Sequence, residues 1–532
     1  MTPIRSNAFK SHYCYKYNAL SLSLSLSLSL SLSIYLSIYL SANPSKHPGK
    51  LTDYLQKLYG NIVEESFPGG VKVVHLFEAD DFESVYRNDG QYPVRGIFPL
   101  VCRFNAKYNN NLHGLSTSEG KYWKHTRSAV QQKLFQRKYI EGWFSKHKEV
   151  TDELLELLEK NKNNEGIVCD MNTILERYTL EVITSACFKE RLDAKWTNLS
   201  DNQIGTHYLS TLKLVNQLLI ESLFSFPLYK FIDTPFFKHY SKINFQLDKY
   251  IITKMEKEIA DYSSKNNKAL HLPENHNESL IFQLLTDNKL HKQEILTIVK
   301  DIISSSVFTL RSLLAFLLYA LTQNTDIQNT IRKEIHDVLK KNNGQQLSLN
   351  TFDNMPYLKA FVKETLRCYP VTPGNVRQLD KDLHLKEYVL TKGTYVKMHH
   401  IYPAMSKDNF ENPTEFCPGR WLRTKNKMNS AHPFAVTQFG FGPRSCLGKR
   451  MALTEAYLFV MKILINYSIE YPDNSFKIRS QLQYPSENTK ILINANQARI
   501  QIECFEQINH LLTDTGMMIG TCWHLQTLKT KA

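Results

Sequence analysis

One stretch concentrates the residues that can do chemistry: Phe439-Gly440-Phe441-Gly442-Pro443-Arg444-Ser445-Cys446-Leu447-Gly448. It sets one cysteine in a glycine-bounded loop, with an arginine two residues before it and an apolar-rich helix just after. Those surroundings suit a thiolate acting as axial ligand to haem iron. Glycines let backbone approach a flat macrocycle, and amide N–H groups aimed at sulfur stabilise its negative charge. Arg444 can pair with a haem propionate as a planar, permanently charged fork. Taken alone, Cys446 reads more readily as a buried free cysteine in a strand-to-helix turn, since unpaired cysteines are usually core residues. The full spacing Phe-x-x-Gly-x-Arg-x-Cys-x-Gly, opened by Phe439, is far more demanding and favours the haem reading.

With that spacing the chain resembles the cytochrome P-450 family of haem-thiolate monooxygenases, from about Leu51 to about Phe505. The resemblance implies a mainly α fold with a small β-rich part. Haem b (iron protoporphyrin IX) would lie between a long central helix and the Cys446 loop, with Cys446 as the iron ligand. On this division residues 1–50 are a low-complexity leader, 51–505 the haem-thiolate monooxygenase domain and 506–532 a C-terminal tail.

The elements that must position the loop are legible in outline. Apolar periodicity predicts helices over Leu51–Glu65, Glu119–Gln136, Leu290–Leu321, Asn354–Cys368 and Lys449–Ile465, and several more between Val150 and Ser306. Tyr369-Pro370 ends the fourth of these. Strand-like pieces occur at Val71–Phe77, Leu383–Met398 and Ile500–Phe505, with loops at Ser225–Pro235 and Ser263–Asn277. One α-rich catalytic unit fits better than separable modules.

Within the predicted helices, Glu364 and Arg367 lie three apart and can pair. Family resemblance adds Arg420, in Phe416-Cys417-Pro418-Gly419-Arg420-Trp421, to make a buried Glu-Arg-Arg network beneath the haem loop; Gly419 replaces the family's usual glutamate. Trp123 and Arg127, four apart, resemble the family's helix pair that contacts a propionate, and Arg377 stands where the family offers another basic group. The long helix departs from the family. Its usual acid-Thr pair, which routes protons to bound dioxygen, becomes Phe308-Thr309, with Ser306 for the glycine. A phenyl ring carries no proton, so Thr309 keeps the hydroxyl role alone, helped by Ser305 or Ser306 with ordered water, or oxygen activation is impaired.

Lys359 and Lys363 are four apart on an exposed helix face. They resemble the paired lysines with which the mitochondrial branch docks an acidic 2Fe–2S ferredoxin, itself reduced by an NADPH-dependent reductase. Lys449 and Arg450 fit the same face, and a formal net charge of +14 suits an acidic partner by steering. The lysines are scattered and no nucleic-acid motif appears, which argues against a nucleic-acid partner, and none is expected. Nine dispersed cysteines, with no CxxC pair, indicate reduced thiols in an intracellular compartment.

No acidic residue precedes Asp53, and Arg5, Lys10 and Lys16 lead into a Ser-Leu repeat over Ser21–Ser33. This reads first as a mitochondrial presequence. A DNA dinucleotide repeat read as coding sequence is the second reading. A membrane anchor, placing the protein in the endoplasmic reticulum membrane instead, is the third. We expect a mitochondrial, inner-membrane-associated protein with peripheral membrane contact.

Val371-Thr372-Pro373 and Arg377-Gln378-Leu379-Asp380 are similar to arthropod ecdysteroid hydroxylases, and the long-helix run ending Phe308-Thr309-Leu310 resembles the ecdysone 20-monooxygenase group. The expected activity is therefore hydroxylation of a small apolar substrate, a sterol or ecdysteroid. The alternatives are a broad-specificity mitochondrial detoxifying monooxygenase, a haem-thiolate isomerase or dehydratase, and a catalytically impaired haem-binding relative.

Overall fold

The computed structural model describes residues 48–470 apart from 68–70, 164–165, 169, 193–196, 198–203, 225–226, 267–277, 342–346 and 423–430, together with the strands Ile491–Ala495 and Arg499–Gln501. The Ser-Leu leader and the tail from 506 lie outside the described residues.

Helices dominate. In chain order they are α1 (Pro48–Tyr59), α2 (Ala79–Arg87), α3 (Pro99–Tyr108), α4 (Gly120–Phe135), α5 (Arg137–Asn161), α6 (Met171–Cys187), α7 (Ile204–Phe224), α8 (Pro235–Asn266), α9 (Leu280–Thr286), α10 (Lys292–Thr322), α11 (Thr325–Lys341), α12 (Leu349–Asp353), α13 (Pro356–Cys368), α14 (Ile401–Ala404) and α15 (Lys449–Asn466). Among the described residues the strands form two four-stranded sheets and a hairpin. One sheet orders β1 (Ile62–Phe67), β2 (Val71–Leu76), β7 (Tyr395–His399) and β4 (Gly374–Gln378), with only β2 and β7 parallel.

Helix α10 is the axis of the molecule. It is long and apolar enough to cross a membrane, yet 67% of that stretch is buried, and α6, α11, α13 and α15 pack around it. Its start is fixed by Glu294, whose carboxylate accepts the His291 N–H at 2.8 Å. Helix α13 begins with Pro356 and takes its cap from a neighbour: Glu334 of α11 accepts the Tyr357 and Leu358 N–H groups, each at 2.8 Å.

The first predicted helix is corrected by the structure. It stops at Tyr59, and Ile62–Phe67 is a strand. Gly60, at φ +89°, supplies the left-handed residue that ends a helix, and its N–H returns to the Gln56 carbonyl at 2.8 Å. At the other site of disagreement, α8 continues through Asn266 where a loop was expected from Ser263.

Candidate active site

The Cys446 loop closes by three backbone bonds: Cys446 N–H to Phe439 O at 2.8 Å, Ser445 N–H to Gly442 O at 3.0 Å and Gly440 N–H to Thr437 O at 2.7 Å. Gly440 and Gly442 sit at φ +68° and +72°, a region that penalises any side chain. The Cys446 side chain is open on one side but deep among protein atoms, and burial pushes its thiol up. The Gly448 and Lys449 N–H groups and the charges of Arg95 and Arg127 pull it back. A metal bound to that sulfur would hold it as thiolate.

Around the loop stand four arginines. Arg127 donates to the Ser445 carbonyl at 2.6 Å and Arg95 to the Arg444 carbonyl at 2.6 Å, so both hold loop backbone. Arg377 pairs with Asp89 at 2.9 Å. Arg444, 1% exposed, donates to the carbonyls of Pro93, Leu115 and Ser118 and to Glu119, while its guanidinium lies 3.9 Å from the Trp123 ring centroid. Burial holds Arg444 down to about 9 and Arg127 to about 10, and lowers Arg95 as well. The arginines also depress one another.

Four cations here face two bonded carboxylates, Asp89 and Glu119, and Arg95 and Arg127 form no ion pair among the described residues. The Trp123 indole N–H is buried without a hydrogen-bond partner among the described residues. A ligand with two carboxylates would balance the charge and satisfy that donor. A thiolate-bound macrocycle bearing two propionates fits these residues. Phe439 packs against the main core beside the loop.

On α10, Thr309 is exposed and its hydroxyl turns back to the carbonyls of Ser305 and Ser306 at 2.9 and 3.0 Å. Phe308 points the other way, 6% exposed in the main core. Two turns earlier on the Thr309 face, Asp301 accepts the Ser116 N–H at 2.8 Å and the Ser116 hydroxyl at 2.5 Å. That clamp brings the loop so close that a Cβ on Gly114 would lie 2.6 Å from Asp301 Cβ. Arg95 feels the charges of both Asp301 and Cys446, which ties this helix face to the thiol loop.

Glu364, Arg367 and Arg420 come together. Glu364 bonds Arg367 at 2.7 Å and Arg420 at 3.0 Å, and both Glu364 and Arg367 are completely buried. Arg420 also reaches the Glu411 and Glu415 carbonyls at 3.0 and 3.2 Å, so the meander closes without a side chain at Gly419. On the outer face of α13, Lys359 pairs with Asp353 at 3.4 Å and Lys363 lies 3.8 Å from the centre of the Trp421 ring. Lys449 is near enough to influence Lys363, and Arg450 donates to the Phe135 carbonyl.

Arg95, Asp89, Glu119 and Asp301 escaped the sequence reading as site residues. Arg95 meets its loop partner 349 residues along the chain, and no spacing rule spans that distance.

Residues 29–495 match the cytochrome P-450 family. Among curated relatives, the probable mitochondrial cytochrome P-450 12a5 of Drosophila melanogaster is 27% identical over 445 residues, covering 79% of this chain and 81% of its own. Cytochrome P-450 CYP12A2 of Musca domestica is 29% identical over 430 residues, 77% and 79% of the two chains. The mitochondrial sterol 26-hydroxylase of Oryctolagus cuniculus is 28% identical over 425 residues, 78% and 77%. A retinoic-acid-bound cyanobacterial CYP120A1 superposes with a TM-score of 0.66 at 20% identity, over 86% of this chain and 96% of its own, a likeness of fold. This α-rich chain, with its single cysteine loop set against a long buried helix, belongs to the cytochrome P-450 family of haem-dependent monooxygenases.

Proposed function

We propose that the protein hydroxylates a C–H bond of a sterol or ecdysteroid, with haem b ligated by Cys446 and electrons from an acidic 2Fe–2S ferredoxin and its NADPH-dependent reductase. The observation that carries the reading is the Cys446 sulfur, met by two backbone N–H groups and backed by Arg95 and Arg127, which have no carboxylate partner among the described residues. Support for the sterol class comes from relatives named for sterol 26-hydroxylation and 1,25-dihydroxyvitamin D(3) 24-hydroxylation, both mitochondrial. Those names also support a mitochondrial site of action, and the lysines on the outer face of α13 support a ferredoxin donor. Leu228, Phe231 and Ile232, 48%, 77% and 57% exposed, offer an apolar patch for peripheral contact with the inner membrane.

Each group has a stated task. Haem held by Cys446 would supply the dioxygen activation and oxygen-atom transfer, with electron density lent by the thiolate ligand. Cys446 supplies that thiolate, and the Gly448 and Lys449 amides temper its charge. Arg95, Arg127, Arg377, Arg444 and Trp123 hold the propionates. Thr309 orders water against the open face of α10 and passes protons through its hydroxyl, with Ser305 one turn away. Glu364, Arg367 and Arg420 keep the meander rigid beneath the loop. Lys359, Lys363, Lys449 and Arg450 receive the ferredoxin. Residues 51–505 form the catalytic unit and 1–50 a presequence.

A catalytically impaired relative is the second reading, favoured by Phe308, which fills the acid's place with a buried ring. Two measurements decide. Cys446→Ala should abolish the red-shifted Soret band of the ferrous–CO complex, and an unchanged band rules Cys446 out as ligand. Purified protein given ferredoxin, reductase, NADPH and a panel of ecdysteroid precursors should yield products one oxygen heavier. NADPH-independent rearrangement of a hydroperoxide, with no such products, would replace monooxygenation by isomerisation.

A further inference from the structure

We infer that Trp421 is a positioning residue for the electron donor: its ring face pins the Lys363 ammonium beside Lys449, so that two like charges are presented together to an acidic partner. The inference rests on the reading of this face as a ferredoxin dock, and it gives Trp421 a role that its place in the buried network does not require.

Trp421 has two chemical handles that point to different neighbours. Its indole N–H donates to Glu364 Oε2 at 2.8 Å, inside the network. Its ring face carries Lys363 Nζ at 3.8 Å from the centroid, and its centroid lies 5.7 Å from that of Phe410, with the two rings inclined at 64°. The first contact belongs to the fold. The second holds a side chain that is otherwise exposed and would, on a bare helix, sample many rotamers. Lys449 opposes that placement, because its charge bears on Lys363 and like charges repel. The negative face of the indole offsets the repulsion and fixes the ammonium before the partner arrives, which lowers the ordering cost of docking. Lys359 needs no such aid, since Asp353 already holds it at 3.4 Å.

The two handles can be separated by substitution. Trp421→Phe keeps a ring face and loses the bond to Glu364; Trp421→Leu loses both. The affinity of the haem-loaded protein for a 2Fe–2S ferredoxin is measured by calorimetry at several ionic strengths, with unfolding midpoints alongside. Both variants should fall in stability, but only Trp421→Leu should bind ferredoxin about two- to fivefold more weakly, the worth of an exposed cation–π contact. In a Lys363→Met background the same Trp421→Leu change should add nothing, because the ammonium that the ring positions is gone. An equal loss in both backgrounds makes Trp421 merely structural and overturns the inference, as does wild-type affinity in Trp421→Leu. Ferredoxin binding that is absent from the wild type would overturn the docking reading itself, and this inference with it.

Discussion

At the residue scale, Glu364 decides how the proximal half of the molecule holds together. Its two oxygens accept from Arg367 Nε and Nη2, the Cys417 N–H, Arg420 Nε and Trp421 Nε1, all between 2.7 and 3.0 Å. Burial pushes its carboxyl up, but the Arg367 bond and charge, the Cys417 amide and the Arg420 charge outweigh that and hold it below the usual range. The carboxylate is therefore ionised at neutral pH, with every lone pair in use. Glu364→Gln leaves the buried Arg367 guanidinium without a counter-charge and should cost about 3–5 kcal/mol in urea unfolding at pH 7. Loss of under 1 kcal/mol would mean that Arg367 is held by the Ala404, Pro413 and Glu415 carbonyls alone. Half of this arrangement was readable in advance. The i,i+3 spacing of Glu364 and Arg367 announces a pair, but only family likeness suggested Arg420, and nothing in the spacing suggested Trp421.

At the element scale, α10 shows why a helix face matters more than a motif letter. Phe308 and Thr309 are sequence neighbours, yet one is buried in the core and the other is exposed. A carboxylate placed at 308 would enter apolar packing. Phe308→Asp should therefore destabilise by about 3–5 kcal/mol through the lost ring and the buried acid, before any gain in proton delivery appears. Phe308→Leu, which keeps the apolar volume more nearly, should cost about 1.5 kcal/mol or less. A Phe308→Asp protein as stable as the wild type, and better coupled, would show that the ring is not a core element. The helix ends were legible to within two residues because apolar periodicity runs almost unbroken over Leu290–Leu321. The strand Ile62–Phe67 was not, because Ile62 and Val63 continue the apolar pattern of α1 and only the backbone of Gly60 marks the stop. What locks α10 to its neighbours was also hidden. Arg311 pairs with Glu176 of α6 at 3.2 Å, and Lys213 of α7 reaches the same carboxylate at 3.0 Å.

At the scale of the whole molecule, acid tolerance has a named component at the end of β7, beside the β1-β2-β7-β4 sheet. His75 links Glu65 at 3.1 Å to His399 at 2.9 Å, with Lys397 on the same strand, and His400 contacts Asn375 at 3.1 Å and the Thr372 carbonyl at 3.2 Å. Burial holds His400 down to about 4, from 6.5 when exposed, although the Thr372 carbonyl pulls it up. The unfolded chain then binds a proton that the folded chain refuses. This contribution to stability is complete above pH 6.5 and is lost as pH falls toward 4, at about 1.4 kcal/mol per pKa unit. Asp81 and Glu258, raised by burial to about 6 and about 7, act in the opposite sense over the same range, so the test must be differential. The stability gap between wild type and His400→Gln should narrow from pH 7 to pH 4.5; a constant gap would remove His400 from the account. A different consequence follows from the near-contact of Gly114 with Asp301. A hydrogen atom is all that separates the loop ahead of α4 from the central helix, which makes residue 114 a spacer gauge. One methyl group there must push the loop off the helix and strain the two bonds from Ser116 to Asp301, so Gly114→Ala is the smallest change that would unfasten this loop from the helix it rides on.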